Sequence, residues 1–538
     1  MKTRVLLLLA AAVCAAQSPN LGRIDFPTSG GPEAQKHFIH GMLLLHSFEY
    51  ADARDEFQAA SKLEPHFAMA YWGEALTYTH PLWVQQDLVS ARATLARLGP
   101  TKEARLAFAP TEREKDFLRS VEALYGDGDK LTRDLAYAAA LGKMHDKYPN
   151  DLEVASLYAL ALMGTCQYER QTPVYMRAAA IAEEVFAKNP EHPGAIHYLI
   201  HAYDDPVHAP LGLRAARVYG KVAGAASHAQ HMPSHIFVAL GMWDDVVAAN
   251  IASAKTADDR VKAKGLSNSE RSFHALLWLE YGYLQQGDVT KIGNSLPNMT
   301  SALQPHVADA KRVLDDAAQS ARGLTQPASY VNQMRAVYAS ATDSWEMVAQ
   351  PEPGGGMLSN IELLTTRGMI EAHQGKLDAA RKTLAEAQAA TSGEGGALHG
   401  GMARPSTAND KQTAQVMIQE LQAVIMRAEG KRDAALELLA AAAKIEDGLS
   451  FEYGPPVPVK PVHELYGDML LTDGFNELMR PASEGAPRNL DKIESELKEA
   501  KKQYEKAMER CPKRWLSSVG VSRAEEELGR VQGIRGGH

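Results

Sequence analysis

Residues 34–65 read AQKHFIHGMLLLHSFEYADARDEFQAASKLEP, and they decide how the rest of the chain is read. Small residues stand at Gly41, Ala53 and Ala60, an aromatic at Phe57 and a proline at Pro65. Three small residues let two helices approach closely. Phe57 fills the gap toward the next helix pair. Pro65 stops the second helix, because it cannot continue the hydrogen-bond ladder. A second unit begins at Ala68, with Tyr71, Ala75 and Tyr78 in corresponding places.

Working outward, 538 residues are too many for one compact core, so the chain is a set of domains or a repeat array. Its alanine- and leucine-rich composition with few aromatics favours helix. A formal charge of −9 with no long basic run argues against a nucleic-acid partner. Residues 1–16 have the pattern of a secretory signal peptide: Lys2 and Arg4, an apolar run from Val5 to Val13, then small residues up to Ala16. The mature protein is therefore expected to be exported, periplasmic or extracellular, with no membrane span left after cleavage. Cys166 and Cys511 are the only cysteines past the leader, and no CxxCH is present, so haem attachment is not expected.

The 34–65 unit resembles the tetratricopeptide repeat, a 34-residue helix–turn–helix module. Counted from Ala34, Gly41 is at position 8 and Pro65 at position 32. The resemblance returns around 190–255 and most clearly at 361–445, where Gly368, Gly375, Ala380 and Ala387, then Ala423, Gly430, Ala435 and Ala442, fit two units. It implies an all-α fold, a right-handed α-solenoid of helix–turn–helix repeats. The expected layout is a leader at 1–16 and a flexible lead at 17–33. A first array follows at 34–349, a Pro/Gly hinge (QPEPGGGM) at 350–357, and a second array with a capping helix at 358–538. Strands are not expected.

Seven of the nineteen histidines fall in residues 192–237, HPGAIHYLIHAYDDPVHAPLGLRAARVYGKVAGAASHAQHMPSHIF. His197 and His201 are four apart; His228, His231 and His235 are three and then four apart, so each set shares one helix face. This stretch resembles large exported bacterial tetratricopeptide proteins that carry an HAxHMPSHIF run. The repeat resemblance also implies that both sets face the concave wall, where first helices of neighbouring repeats lie side by side. Pro233 leaves one point open: if a helix starts near Met232, only His235 lies on the helix proper.

Converging imidazoles suit a transition ion, zinc or copper above all. The candidate ligands are His197, His201, His228, His231 and His235. Asp204, Asp205, Glu270 and His274 are candidates for support, Asp204 or Glu270 by orienting an imidazole. Ligation by imidazole implies loss of the ion as the histidines protonate, around or below pH 6. HYLIH lacks the glutamate of HExxH, and no phosphate-binding glycine loop is present, so neither that metalloprotease chemistry nor a nucleotide is expected. Three readings follow: a binding scaffold with a metal site and a peptide or protein in its groove, a metal-dependent hydrolase or oxidoreductase, and a metal-free interaction scaffold.

Overall fold

The structure is a computed structural model that describes residues 20–167, 170–287, 298–342, 356–392, 406–450, 454–458, 460–480 and 488–536. The leader at 1–16 and residues 350–355 of the expected hinge lie outside the described residues.

The fold is an all-α solenoid of tetratricopeptide-like helix pairs, each helix packed on its neighbours in the chain. The first pair is Pro32–His46 and Tyr50–Leu63. A Cβ on Gly41 would sit 2.8 Å from the Phe57 ring, and the same ring presses on Gly73 in the following helix, Ala68–Leu76. Phe57, Ala53 and Ala60 are fully buried. The sequence reading of this unit thus has a direct steric cause.

One departure is a short antiparallel bridge, Thr79 opposite Gln86 and His80 opposite Gln85. Pro81–Trp83 form a tight turn, and Val84 takes a left-handed φ of 56°, which reverses the chain and brings the flanking residues into register. This hairpin places Trp83 beside the histidine region.

One continuous core runs from Leu21 to Tyr338. The helix Thr325–Thr342 packs on Met357–His373, and paired helices continue to Val462–Met479 and Leu490–Arg510. Ala524 and Val531 of the last helix, Trp515–Gly536, complete the core of that final pair. The segment leading into this helix reaches back to the middle of the chain. The Trp243 indole donates to the Lys513 carbonyl at 3.0 Å, and the Trp515 amide donates to Gln285 at 2.9 Å. A buried ion pair between Arg514 and Glu464, 2.8 Å at its shortest, and a bond from Ser517 to Glu464 hold the contact. No described helix is long and apolar enough to cross a membrane.

Candidate metal centre

The histidine wall is built by four short elements. The first, Pro193–Tyr203, starts where sequence permits it: Pro193 occupies the first turn, and the His192 ring accepts the Ala195 amide at 3.1 Å as its cap. His197 and His201 sit one turn apart on this helix. Two further helices, Ser227–His231 and Pro233–Ala239, meet at Met232. Met232 keeps helical dihedrals (φ −53°, ψ −36°), so Pro233 begins a new segment without breaking the spacing of His231 and His235. The fourth, Phe273–Gln285, carries His274 near its start.

These elements arrange six histidines in two groups of three: His197 with His201 and His228, and His231 with His235 and His274. In each group one ring nitrogen per residue lies within 4.8 Å of the others, so each group can hold a metal ion. The partition differs from the two rows read from spacing. His228 joins the first pair, and His274, expected as support, completes the second.

In the first group the Nε2 atoms converge. His201 and His228 Nε2 lie 3.1 and 3.2 Å from His197 Nε2. His197 Nδ1 is 2.7 Å from the His46 carbonyl oxygen. A carbonyl only accepts, so Nδ1 carries the proton and Nε2 presents a lone pair. That single lone pair cannot accept well from two neighbours at once. In the second group the conflict is sharper. His231 Nδ1 donates to Asn250 Oδ1 at 2.7 Å, and Asn250 is itself oriented by donating to the Val246 carbonyl. His235 Nδ1 is 2.5 Å from Asp204 Oδ2. With both Nδ1 atoms donating, the two Nε2 lone pairs face each other at 3.0 Å. A cation between or on them, a proton or a metal, relieves that contact. A metal about 2.0–2.1 Å from two imidazole nitrogens holds them about 2.8–3.4 Å apart for angles between square and tetrahedral. The observed separations fall in that range.

Electrostatics favour the neutral, ligating form. Burial, with the neighbouring imidazoles adding to it, holds His197 down at about 3 and keeps His201 and His228 well below the ordinary histidine range. Aromatic rings close in around the nitrogens. Phe48 lies 4.2 Å from His197 and stacks on His228 at 5.5 Å, and Trp278 lies 4.4 Å from His235. His201, His228, His231, His235 and His274 open onto a cleft of about 640 Å³ whose lining also includes Trp83, Arg260 and Tyr330. His197 sits below them, fully buried.

The supporting residues divide. Asp204 Oδ2 sits behind the His235 ring, against its Nδ1. Asp205 does not reach the site: it caps the backbone at Val207 and His208 and pairs with Arg170 and His208, each at 2.8 Å. Its position one residue after Asp204 turns it to the other side of the chain. Glu270 stands at the rim of the cleft with its carboxylate 3.9 Å from Arg260. The orienting groups that sequence reasoning missed are Asn250, one helix further on, and the His46 main chain.

A third buried cluster, His46, Glu153 and His192, has metal-like composition too. Its bonding is already complete. Glu153 takes His46 Nε2 at 2.8 Å and His192 Nε2 at 3.0 Å, and the remaining ring nitrogens bond Tyr198 and the Ala195 amide. The two imidazoles beside Glu153 hold its carboxyl far below the usual range against the cost of burial.

No family model matches the chain, and no curated protein matches it. Among solved structures it is similar to the tetratricopeptide domain of P58(IPK), at 14% identity over 93% of this chain and 99% of that one, with a TM-score of 0.23. It is also similar to yeast Tom70, at 10% identity over 94% and 89% with a TM-score of 0.31. Human IFIT1, solved as a dimer with m7Gppp-AAAA, is 13% identical over 95% and 91%, with a TM-score of 0.31.

Proposed function

We propose that this protein is an exported binding scaffold whose concave cleft carries a transition-metal centre ligated by histidine. The observation that carries this reading is the pair of Nε2 atoms of His231 and His235, 3.0 Å apart while both Nδ1 atoms are tied to acceptors. Zinc and copper fit the neutral imidazole set. Export rests on the leader-like pattern of residues 1–16. A peptide or protein segment is the proposed occupant of the cleft, with its polar ends within reach of Arg260 and the ion. The helical solenoid supports such a groove, because first helices of successive repeats line one wall.

A second reading, a metal-dependent enzyme, is favoured by one feature: five of the six histidines reach the open cleft, so an ion there keeps a face for an exogenous ligand.

Elemental analysis of the purified mature chain tests the proposal. The native protein should carry stoichiometric zinc, copper or another transition ion. A variant combining His197→Ala and His235→Ala should carry none. A native protein that stays metal-free after reconstitution with either ion would leave a metal-free interaction scaffold as the better reading.

A further inference from the structure

We infer that the two histidine groups work as one centre: a pair of copper ions, three imidazoles each, sharing an open face on which dioxygen binds. This rests on the metal-binding reading above and goes further in stoichiometry, metal and ligand.

The pairing comes first from symmetry of donors. Each group is two histidines one helical turn apart plus a third from another element: His197 and His201 with His228, then His231 and His235 with His274. The groups also adjoin. The His201 and His235 rings lie 6.0 Å apart and the His228 and His231 rings 6.2 Å apart. His228 and His231 belong to the same helix, which ties the two positions rigidly together.

Donor chemistry selects the metal. All six donors are imidazoles, which bring no negative charge to an ion. Each nearby carboxylate has another partner: Asp204 bonds the back of the His235 ring, Glu49 accepts the His228 main-chain amide, and Glu270 lies beside Arg260. Two divalent ions placed side by side without an anionic ligand repel strongly. Two monovalent copper ions repel far less, and three imidazoles satisfy each of them. Copper also stands highest among the divalent ions for nitrogen sites, so the same donors hold it after oxidation.

The shared face then has a natural occupant. Dioxygen is small enough to lie between the ions on the cleft side. Each Cu(I) gives one electron to it, so two Cu(I) and one dioxygen become two Cu(II) and one bridging peroxide. The O–O bond is kept, no proton is needed, and the dianion supplies the negative charge that the imidazoles lack. Phe48 packs against the His197, His201 and His228 rings and gives that side an apolar wall.

The test uses the full mature chain, stripped of metal, loaded with Cu(I) under anaerobic conditions and then exposed to air. About two equivalents of copper should bind. On oxygenation an intense near-ultraviolet charge-transfer band should appear while the Cu(II) paramagnetic resonance signal stays absent, because the spins couple. His274→Ala and His228→Ala, one from each group, should each lower binding to about one equivalent and abolish the band. About one equivalent in the native protein, or two ions with separate Cu(II) signals and no band, would overturn the pairing while leaving the metal site standing. A native protein that takes up neither copper nor zinc would overturn both readings.

Discussion

Two regions of this protein gather histidines around a carboxylate and bond them differently, one wholly buried and the other open to the cleft. His46, Glu153 and His192 form a closed set in which both Nε2 atoms bond the carboxylate and both Nδ1 atoms have partners, the Tyr198 hydroxyl and the Ala195 amide. In the histidine wall, His197, His231 and His235 turn their Nδ1 atoms outward to fixed acceptors and their Nε2 atoms inward toward neighbouring imidazoles. The difference lies in what the back of each ring meets. A carboxylate placed among imidazoles consumes their donors; a carboxylate placed behind one sets its tautomer and aims its lone pair. The clusters are also joined, since the residue that gives its ring to Glu153 gives its carbonyl to His197.

The largest expected contrast is in metal content. His197→Ala with His235→Ala should abolish bound metal, whereas Glu153→Gln should leave the stoichiometry of the folded protein unchanged; elemental analysis of both variants decides it. Loss of metal in the Glu153 variant alone would erase the distinction between the clusters.

Stability should rank them the other way. Glu153→Gln breaks a buried charge network and should cost about 3–5 kcal/mol in denaturant unfolding of the apoprotein. The double histidine variant removes an unfavourable lone-pair contact along with favourable packing, so its apoprotein should lose less. A Glu153 variant as stable as the native chain would contradict the structural role.

A smaller effect belongs to the orienting residues. Asp204→Ala should weaken metal binding about 10–100-fold without abolishing it, read by competition with a chelator. Asn250→Ala should act in the same direction through His231. An unchanged affinity in both would mean that the rings are held by packing alone.

Proton linkage separates the apoprotein from the loaded one. Unfolded histidine binds its proton near 6.5, and folded His197 only near 3, so between those values the unfolded chain binds more protons. This contribution to apoprotein stability is therefore complete above pH 6.5 and is lost as pH falls toward 3; His201 and His228 act in the same direction. Burial thus moves the onset of metal loss below the pH 6 that free histidine suggests. Melting curves at stepped pH, with and without metal, should show the apoprotein failing first. Parallel curves would place the protonating groups elsewhere.

The fold was legible in residues that act locally. Gly41, Ala53, Phe57 and Pro65 each have one steric consequence, and the helix pair carries all of them. Helix spacing likewise drew attention to histidines that the fold brings together. Their partition was not legible, because whether His228 faces His197 or His231 depends on how two repeats are set against each other. His274 stood one helix pair away with no spacing to tie it to the others. The His46 carbonyl leaves no mark in a sequence at all, since every residue has one. The Thr79–Gln86 bridge was missed because it rests on the left-handed Val84, a conformation that valine rarely adopts.

The most direct test of the central claim is X-ray absorption at the metal edge of the loaded native protein. Ligation by the converging Nε2 atoms predicts a first shell of imidazole nitrogens at about 2.0–2.1 Å, with the outer-shell scattering of histidine rings. A first shell of oxygen or sulfur without those ring features would show that the metal is bound elsewhere and that the cleft histidines do not hold it.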